Sequence, residues 1–397
     1  MPLAEVLDFQ EGPGIMARDF RSVGVPLIRL AGLKRGAPLL AGCDFLDDEQ
    51  VSRRWDHFRL KQGDVLLSTS ASLGEISTVD GTGVDAIAYT GIIRFRPKSS
   101  EVLSQFIPHA LTAPSFKRQI EAMGVGSVIK HFGPTHLRQM TVCVPPAPEQ
   151  QAIAEVLGAL DDKIAVNEQI AATAYELAEA LYIQDSAAEQ GWRETVLSDT
   201  AKWMSGGTPT TSEASYWNGD IPWISAASLK SPWLDDSERK VTRLGAENGT
   251  RLVPAGTIIF VVRGMSLTSE FRVGLTQREV AFGQDCKALV PHPGIDPVVL
   301  LLALRSRTQE ILGLVDTAGH GTGRLSTDRI ARLRVRLPEG ETATAFAETV
   351  RPLAQRASAV RRENRTLADL RDTLLPQLVT GKIRVKDAER VVEDAAS

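Results

Sequence analysis

The chain has 397 residues, enough for two globular domains, and its content of 43% hydrophobic and 24% charged residues is typical of a soluble protein. The formal net charge of −4 does not favour a nucleic-acid-binding protein, so any basic surface must be local. Three isolated cysteines, no basic and apolar leader, and no run of about 18 apolar residues argue against a disulfide-rich secreted protein or a membrane protein. These features predict a reduced, cytoplasmic protein.

Residues 1–148 predict a first domain of the α+β class, with short strands separated by glycine, serine and aspartate turns. The apolar runs Asp64–Leu67 and Ile92–Phe95 each begin beside a glycine and indicate strands. Ile107–Met123 has the spacing of a helix. Met140–Val144 predicts a last strand that ends at a proline-rich segment.

Residues 149–188 predict the first of two long helices, with its helical pattern running from Glu149 to about Asp185. Its apolar positions recur at alternating steps of four and three, the pattern of a coiled-coil seam. The seam comprises Ile153, Leu157, Leu160, Ile164, Asn167, Ala171, Ala174, Ala178 and Leu181. At about 1.5 Å per residue the helix is roughly 50 Å long, and its single apolar stripe requires a partner.

Residues 189–338 repeat the first domain. Three segments return later in the chain: Val25–Lys34 as Ile221–Lys230 at an offset of 196 residues, Leu60–Ser70 as Leu252–Val262, and His136–Pro145 as Arg329–Pro338 at an offset of 193. Within the second of these segments, Gly63 matches Gly256 at an offset of 193. A repeat of this length is a duplicated domain, because solenoid units are only about 20–50 residues long. Two similar but non-identical domains indicate that two related but different targets are bound.

Residues 339–380 predict the second long helix, which has a comparable stripe at Phe346, Val350, Leu353, Ala357, Val360, Asn364, Leu367, Leu374 and Leu378. Asn167 and Asn364 occupy equivalent positions, at an offset of 197 residues. An asparagine in such a seam lowers stability but fixes register, whereas the alternative is that each asparagine faces solvent.

The predicted fold is two similar α+β domains separated by two antiparallel helices that form an intramolecular coiled coil. Residues 381–397 are expected to be a tail that frays at its acidic end.

Signatures of catalysis are absent from the sequence. It contains no phosphate-binding loop, dinucleotide fingerprint, paired zinc ligands or amino-methyltransferase tetrapeptide, and its six histidines are scattered. This favours a binding protein with no catalytic residues, metal or cofactor of its own. Two alternatives are an enzyme fused to its own DNA reader and a structural protein whose duplicated domains bind protein.

Three families of loops recur at matching places in the two copies and carry cationic and hydroxyl side chains. Such groups can donate hydrogen bonds to phosphates and base edges, although a solvated loop is an equal alternative for any single residue. The candidates are Lys34, Arg35, Ser68, Ser70, Ser72, Ser127, Lys130 and His131 in the first copy, and Lys230, Arg263, Ser266, His320, Thr322 and Arg324 in the second. The copies share their apolar positions and differ in these loops, as expected for two readers of different DNA sequences.

The chain resembles the specificity subunits of type I restriction–modification systems. The resemblance rests on PPAPEQQAIAEVL at Pro145–Leu157, LLPQLVTGKIRV at Leu374–Val385, and the opening of the second copy with Trp192 and SGGTP at Ser205–Pro209. Two features depart from the family pattern. The first copy lacks a tryptophan-led opening, and the second linker reads PEGETAT at Pro338–Thr344.

The resemblance implies that each domain is a target recognition domain that reads one half of a bipartite double-stranded DNA site. It also implies that the two helices set the half-site spacing and dock two methyltransferase subunits, which bind S-adenosylmethionine. Restriction subunits that use ATP and Mg²⁺ would join them, so this chain would be non-catalytic. A related methylation-only or fused-type restriction system is the alternative within the same class.

Overall fold

The computed structural model describes residues 1–34, 37–70, 73–122, 132–317 and 321–396. The chain forms two compact units, of which the first is Met1–Glu168 with Arg362–Ser397 and the second is Gln169–Arg361. The division crosses both long helices. Each unit therefore contains one α+β domain and about half of each helix.

The first unit contains two four-stranded sheets. The larger is antiparallel, in the order Leu7–Glu11, Ile92–Pro97, Val65–Ser68 and Ile76–Thr78. The smaller is mixed, in the order Phe20–Arg21, Asp44–Leu46, Val25–Ile28 and Ile87–Ala88. The short α-helices are Leu3–Val6, Asp48–Arg54, Ile107–Thr112, Pro114–Ala122 and Pro134–Leu137, and the 3-10 turns are Ala17–Asp19, Leu30–Leu33, Asp56–Phe58, Gly81–Gly83 and Ser104–Phe106.

The central strand of the first domain, Val65–Ser68, begins with three apolar residues because both of its faces are covered. Val65 and Leu67 belong to one core with Phe95 and Phe106, whereas Leu66 belongs to a second core with Leu60. Successive side chains of a strand point to opposite faces, so a strand packed on both sides shows no polar alternation.

The second unit has sheets of five, four, three and two strands. The five-stranded sheet runs Ala201–Ser205, Cys286–Pro291, Ile258–Val261, Val273–Thr276 and Trp233–Leu234. The four-stranded sheet runs Lys240–Val241, Trp217–Ile224, Val280–Phe282 and Leu252–Val253. The smaller sheets are Arg263–Gly264, Gly323–Leu325 and Val315–Thr317, and Arg334–Pro338 with Trp192–Val196. The short α-helices are Arg243–Gly249, Pro297–Ser306, Thr308–Gly313 and Thr327–Ala331, and the 3-10 turns are Leu197–Asp199, Ala214–Tyr216 and Met265–Thr268.

The strand order confirms the predicted duplication. In each domain the strand that follows the matched glycine lies between two antiparallel neighbours in the larger sheet. In each smaller sheet the early strand pairs with one antiparallel and one parallel neighbour. The matched glycines Gly63 and Gly256 both have φ of 82°, a conformation that favours glycine, so the turn before the central strand is also repeated.

The last strand expected at Met140–Val144 does not form, and that prediction is wrong. A single bridge joins Pro2 to Thr141, whereas the equivalent segment of the second domain, Arg334–Pro338, pairs with its partner strand over five residues. The segment opposite Thr141 enters the helix Leu3–Val6 directly after Pro2. A helix cannot continue a ladder, so the pairing ends at one bridge.

The helix expected at Ile107–Met123 is divided in two at Ala113. Ala113 has φ −56° and ψ 140°, and the chain re-enters a helix at Pro114. The ring of a proline disfavours the helical conformation of the preceding residue, which explains the break. Met123 lies outside the described residues.

The long helices span Ala147–Ser186 and Gly340–Val379, with 40 residues each. In the first unit their buried seam residues include Ile153, Leu157, Leu160 and Ile164 from the first helix and Leu374 and Leu378 from the second. Arg371 donates to Asp161 at 2.7 Å and Asn167 donates to Asn364 at 2.9 Å. Residue numbers rise along one helix as they fall along the other, so the helices are antiparallel in this unit.

In the second unit the seam continues to the predicted last residue and also includes Tyr182. Ala171, Ala174 and Ala178 are buried in one core with Val350, Ala357 and Val360, and Leu353 packs against that core. The predicted Leu181 is half-buried and packs against this core, and its neighbour Tyr182 is the last buried position, at 3% exposure. Its hydroxyl donates to the Arg336 carbonyl at 2.7 Å, and its ring meets Trp192 and Phe346 edge to face. Burial raises the pKa of Tyr182, which keeps its hydroxyl protonated as a donor.

The tail expected at residues 381–397, with fraying at its acidic end, instead contains a helix at Val385–Ala396. Ala388 is fully buried, and Val385 and Val392 pack against the same core of the first unit. Their spacing of three and four residues is that of an amphipathic helix.

Within the described part of the chain, no helix has the length and apolar character needed to cross a membrane.

Candidate nucleic-acid interface

Two of the predicted arginines lie directly opposite each other in the second domain. Arg263 and Arg324 are register partners in the antiparallel pair formed by Arg263–Gly264 and Gly323–Leu325. Opposite residues of such a pair point to the same face, and like charges placed there are destabilising. Both side chains are exposed. On the other neighbouring strand, Asp316 is the register partner of Arg324. A polyanion bound to this face would offset the repulsion.

The neighbouring acids leave this pair cationic. Asp316 accepts a hydrogen bond from Arg329 at 2.8 Å, so its charge is already shared with another arginine. The Asp285 carboxylate is 3.9 Å from the Arg263 guanidinium, whose side chain is 57% exposed. A contact this long and this exposed to solvent contributes little. Arg263 and Arg324 can therefore donate to phosphates or to guanine edges.

Two glycines let a turn pack closely on this three-stranded sheet. Gly264 has φ of 157°, and a Cβ added to Gly323 would lie 2.8 Å from the Leu267 Cβ. Leu267 is 1% exposed and anchors the 3-10 turn Met265–Thr268. The turn that follows Arg263 is thus fixed to the strand that carries Arg324.

Two of the three loop families of the second domain lie on this sheet. Arg263 and Ser266 belong to the second family, and Thr322 and Arg324 belong to the third. Ala226, in the segment that leads to Lys230 of the first family, has its methyl 3.9 Å from the position of a Cβ on Gly264. Lys230 ends that same loop and is exposed, while Ser266 and Thr322 are half-buried.

The predicted residues of the first domain are less grouped in the described chain. Lys34 is exposed directly after the 3-10 turn Leu30–Leu33, and Ser70 is half-buried after the central strand. Ser68 is fully buried, and its hydroxyl accepts a hydrogen bond from the Glu75 amide at 2.9 Å. The burial of Ser68 argues against a direct DNA contact. Six predicted residues lie outside the described chain: Arg35, Ser72, Ser127, Lys130, His131 and His320.

Lys34 also lines a groove of about 1000 Å³ in the first unit. The lining carries both signs of charge, with Lys117 opposed by Asp161 and Asp162 of the first long helix. Burial lowers the pKa of His109, which lines the same groove. The mixed charges do not make this groove an anion-binding site.

Sequence reasoning did not identify the role of Gln150, which lies in the PEQQ motif at the start of the first long helix. Gln150 is fully buried and makes three hydrogen bonds. Its amide nitrogen donates to the carbonyls of Glu101 and Pro145, both at 2.8 Å, and its oxygen accepts from the Leu103 amide at 2.9 Å. This side chain fixes the helix to its domain. The PEQQ motif was the feature of the sequence from which this role could have been inferred.

The seam asparagines are paired in the first unit. Asn167 is fully buried and donates to Asn364 and to Glu363, both at 2.9 Å. Asn364 is half-buried and donates to the Ile164 carbonyl at 3.0 Å. A pairing of this kind is possible in one register only, and it excludes the alternative in which Asn167 faces solvent.

The fold defines a class of proteins with two copies of an α+β domain, each followed by a long helix, and with loops that differ between the copies. A family model described as the type I restriction modification DNA specificity domain matches residues 2–174 and 189–364. The two matches cover both domains and most of both helices. The chain belongs to this family.

Several characterised proteins are similar to this chain. The specificity subunit of the Escherichia coli type I restriction enzyme EcoR124I/EcoR124II is 29% identical over 152 residues, covering 38% of this chain and 37% of that protein. The HindI specificity subunit of Haemophilus influenzae is 24% identical over 199 residues, covering 49% and 42%. The chain thus spans less than half the length of these two relatives.

Two further similarities extend over more of the chain. The MjaIX specificity subunit of Methanocaldococcus jannaschii is 23% identical over 348 residues, covering 82% of this chain and 79% of that protein. The crystal structure of a type I restriction–modification S subunit from M. genitalium matches with a TM-score of 0.56 and 17% identity, covering 95% of each chain. At that identity the structural match indicates a shared fold.

Proposed function

We propose that this chain is the DNA-specificity subunit of a type I restriction–modification complex and that each domain reads one half of a bipartite target. The observation that carries the proposal is the duplication: the two domains share a strand order and a family match, while their loops differ. A scaffold kept constant under variable loops suits the recognition of two different half-sites.

The second domain supports this function most directly. Its exposed arginine pair can donate to phosphates or to the O6 and N7 atoms of guanine, and hydroxyl groups lie on the adjoining segments. Because the net charge of the chain is −4, attraction to DNA depends on this local surface and on partner subunits. The chain alone is therefore expected to bind DNA weakly.

The long helices carry features that suit protein partners. Val166, Leu177 and Ile183 of the first helix are exposed by 50%, 47% and 59%, although each is a large apolar residue. Exposed apolar side chains on a helix are suitable for burial against another protein. The proposed partners are two methyltransferase subunits, which bind S-adenosylmethionine and methylate adenine, and restriction subunits that use ATP and Mg²⁺. The reactions belong to those subunits, and the proposed location is the cytoplasm.

The test is reconstitution of the chain with its methyltransferase subunits and selection of bound duplexes from a random pool. The expected result is one bipartite consensus with a fixed spacer, bound tightly and with strong salt dependence by the complex and weakly by the chain alone. The matched control is the complex carrying Arg324→Ala, which should lose preference in one half only. Selection of a single continuous site, or nanomolar specific binding by the chain alone, would contradict the proposal.

A further inference from the structure

Met265 is a large apolar side chain held in solvent beside the arginine pair. It is 75% exposed and begins the 3-10 turn Met265–Thr268, directly after Arg263–Gly264. Single exposed apolar residues are common on protein surfaces, so exposure alone indicates no function.

The turn that carries Met265 is fixed on both sides. The Thr268 hydroxyl donates to the Met265 carbonyl at 2.7 Å, and the Glu270 amide donates to the Ser266 carbonyl at 2.7 Å. Leu267 is buried against the sheet. The side chain is therefore presented from a pre-organised backbone, which lowers the entropy lost when it binds a partner.

The surrounding charge indicates which partner. Arg263 lies two residues before Met265, and Arg324 lies opposite Arg263 on the adjoining strand. Two exposed cations beside one exposed apolar group suit a surface that is anionic yet has apolar atoms within reach. Double-stranded DNA has this chemistry, since its phosphates flank base edges whose apolar group in the major groove is the thymine methyl.

The dimensions of the element agree with that groove. The strands Arg263–Gly264, Gly323–Leu325 and Val315–Thr317 have two or three residues each and form a narrow ribbon. The major groove of B-DNA admits a two-stranded β-ribbon, and the edge pair Arg263–Gly264 with Gly323–Leu325, which carries both arginines, is such a ribbon. Methionine is unbranched and polarizable, so it adapts to a small apolar target.

We propose that Met265 is a specificity-determining residue of the second domain and that it contacts the C5-methyl group of a thymine in the half-site read by that domain. The inference rests on the proposed function of the chain and adds one residue and one base to it. It predicts that this half-site contains a thymine.

The experiment is a double-mutant cycle between the protein and the DNA, performed with the assembled complex on its selected duplex. Each thymine of the two half-sites is replaced singly by deoxyuridine, which removes only the methyl group. Burial of one methyl contributes about 0.8 kcal/mol, so one replacement should weaken binding by the wild-type complex about fourfold. Met265→Ala should weaken binding to the unmodified duplex by a similar factor and should not respond to that replacement.

Two control variants keep the test specific. Met265→Leu retains an apolar side chain and should keep most of the response. Leu244→Ala removes another exposed apolar residue of the same domain, 49% exposed on the helix Arg243–Gly249, and should keep the full response.

Three results would overturn the inference: a half-site without thymine, equal responses of the wild-type and Met265→Ala complexes to every replacement, or an effect of Met265→Ala on methyltransferase assembly in place of DNA binding. The last result would make Met265 a protein contact. A complex that selects no bipartite duplex would instead refute the proposed function, so the two failures are distinguishable.

Discussion

The two units attach a long helix to an α+β domain at equivalent places by different chemistry. In the first unit, buried Gln150 makes three hydrogen bonds to the domain and the linker. At an offset of 197 residues its counterpart in the second unit is Ala347, which lines a cavity of about 280 Å³ together with Pro297 and Pro338. Ala347 has no side-chain amide, so it cannot make the hydrogen bonds that Gln150 makes in the first unit.

The second unit makes an ion pair beside this cavity. Arg351 donates to Asp296 at 2.6 Å, and the other carboxylate oxygen of Asp296 accepts from the amides of Val298 and Val299 at the start of a helix. Asp296 lies where the first unit has Leu103, because each residue directly precedes the helical turn that follows the equivalent strand. The duplicated scaffold has been retained while the junction changed from a buried amide to a partly exposed ion pair.

The largest expected effect is the loss of stability caused by a charge placed in the seam of the first unit. Leu160 is 2% exposed, so Leu160→Asp should destabilise that unit by about 3–5 kcal/mol because the carboxylate would be buried without a partner. Leu367→Asp should have a smaller effect, since Leu367 is half-buried. Hydrogen exchange should show faster opening in the first unit. Val166→Asp, at an exposed position of the same helix, is the control.

The next largest effect is the loss of stability expected when Gln150, which joins the first helix to its domain, is removed. Gln150→Ala leaves one amide and two carbonyls of the first unit without their partner and should destabilise that unit by about 2–3 kcal/mol. Thermal unfolding with domain-resolved hydrogen exchange measures this. Gln151→Ala is the matched control, because Gln151 is exposed and bonds only to Glu155 of its own helix turn among the described residues. Equal effects of the two changes would show that the Gln150 contacts contribute nothing specific.

Arg324→Ala should weaken binding of the assembled complex to DNA by about 1–3 kcal/mol if Arg324 contacts a base, and should relax preference in one half-site. Fluorescence anisotropy with single-base variants of the target measures both outcomes. Arg278→Ala, at an exposed turn of the same domain, is the control. Uniform weakening across all sequences, with a lower salt slope, would instead assign Arg324 to a phosphate.

The smallest effect is expected at the ion pair of the second unit. Arg351→Met should destabilise that unit by about 0.5–1 kcal/mol, because the Arg351 side chain is 52% exposed and Asp296 keeps its bonds to the helix amides. The loss should diminish at high salt, whereas the loss from Gln150→Ala should not. Thermal unfolding of both variants at two ionic strengths measures this difference. An equal response of Arg351→Met and Gln150→Ala to salt would contradict it.

The long helices were predictable because their apolar period persists over many turns. Their observed ends, Ala147 and Ser186, and Gly340 and Val379, lie within two residues of the predicted ones. The duplication was predictable from matched segments. The closing helix also had a readable signal, the spacing of Val385, Ala388 and Val392, which the acidic composition of the tail obscured.

The rest depended on contacts between residues far apart in the chain. Gln150 bonds to residues 47 and 49 positions away, and no local pattern indicates such partners. The cross-strand pairing of Arg263 with Arg324 likewise follows from the strand register rather than from spacing. Ser68 was predicted as a surface donor because it follows an apolar run, but the strand includes it and buries it. The burial of Tyr182 beside Leu181 reflects a partner, the Arg336 carbonyl, that the heptad pattern does not reveal.

The central claim is that two similar domains read separate halves of one DNA target. Sequencing of methylated adenines in cells that express the complex, with either the wild-type chain or Arg324→Ala, tests it most directly. The account predicts a bipartite methylated motif in which the variant relaxes one half and leaves the other half and the spacer unchanged. Relaxation of both halves, or a motif with no gap, would contradict it.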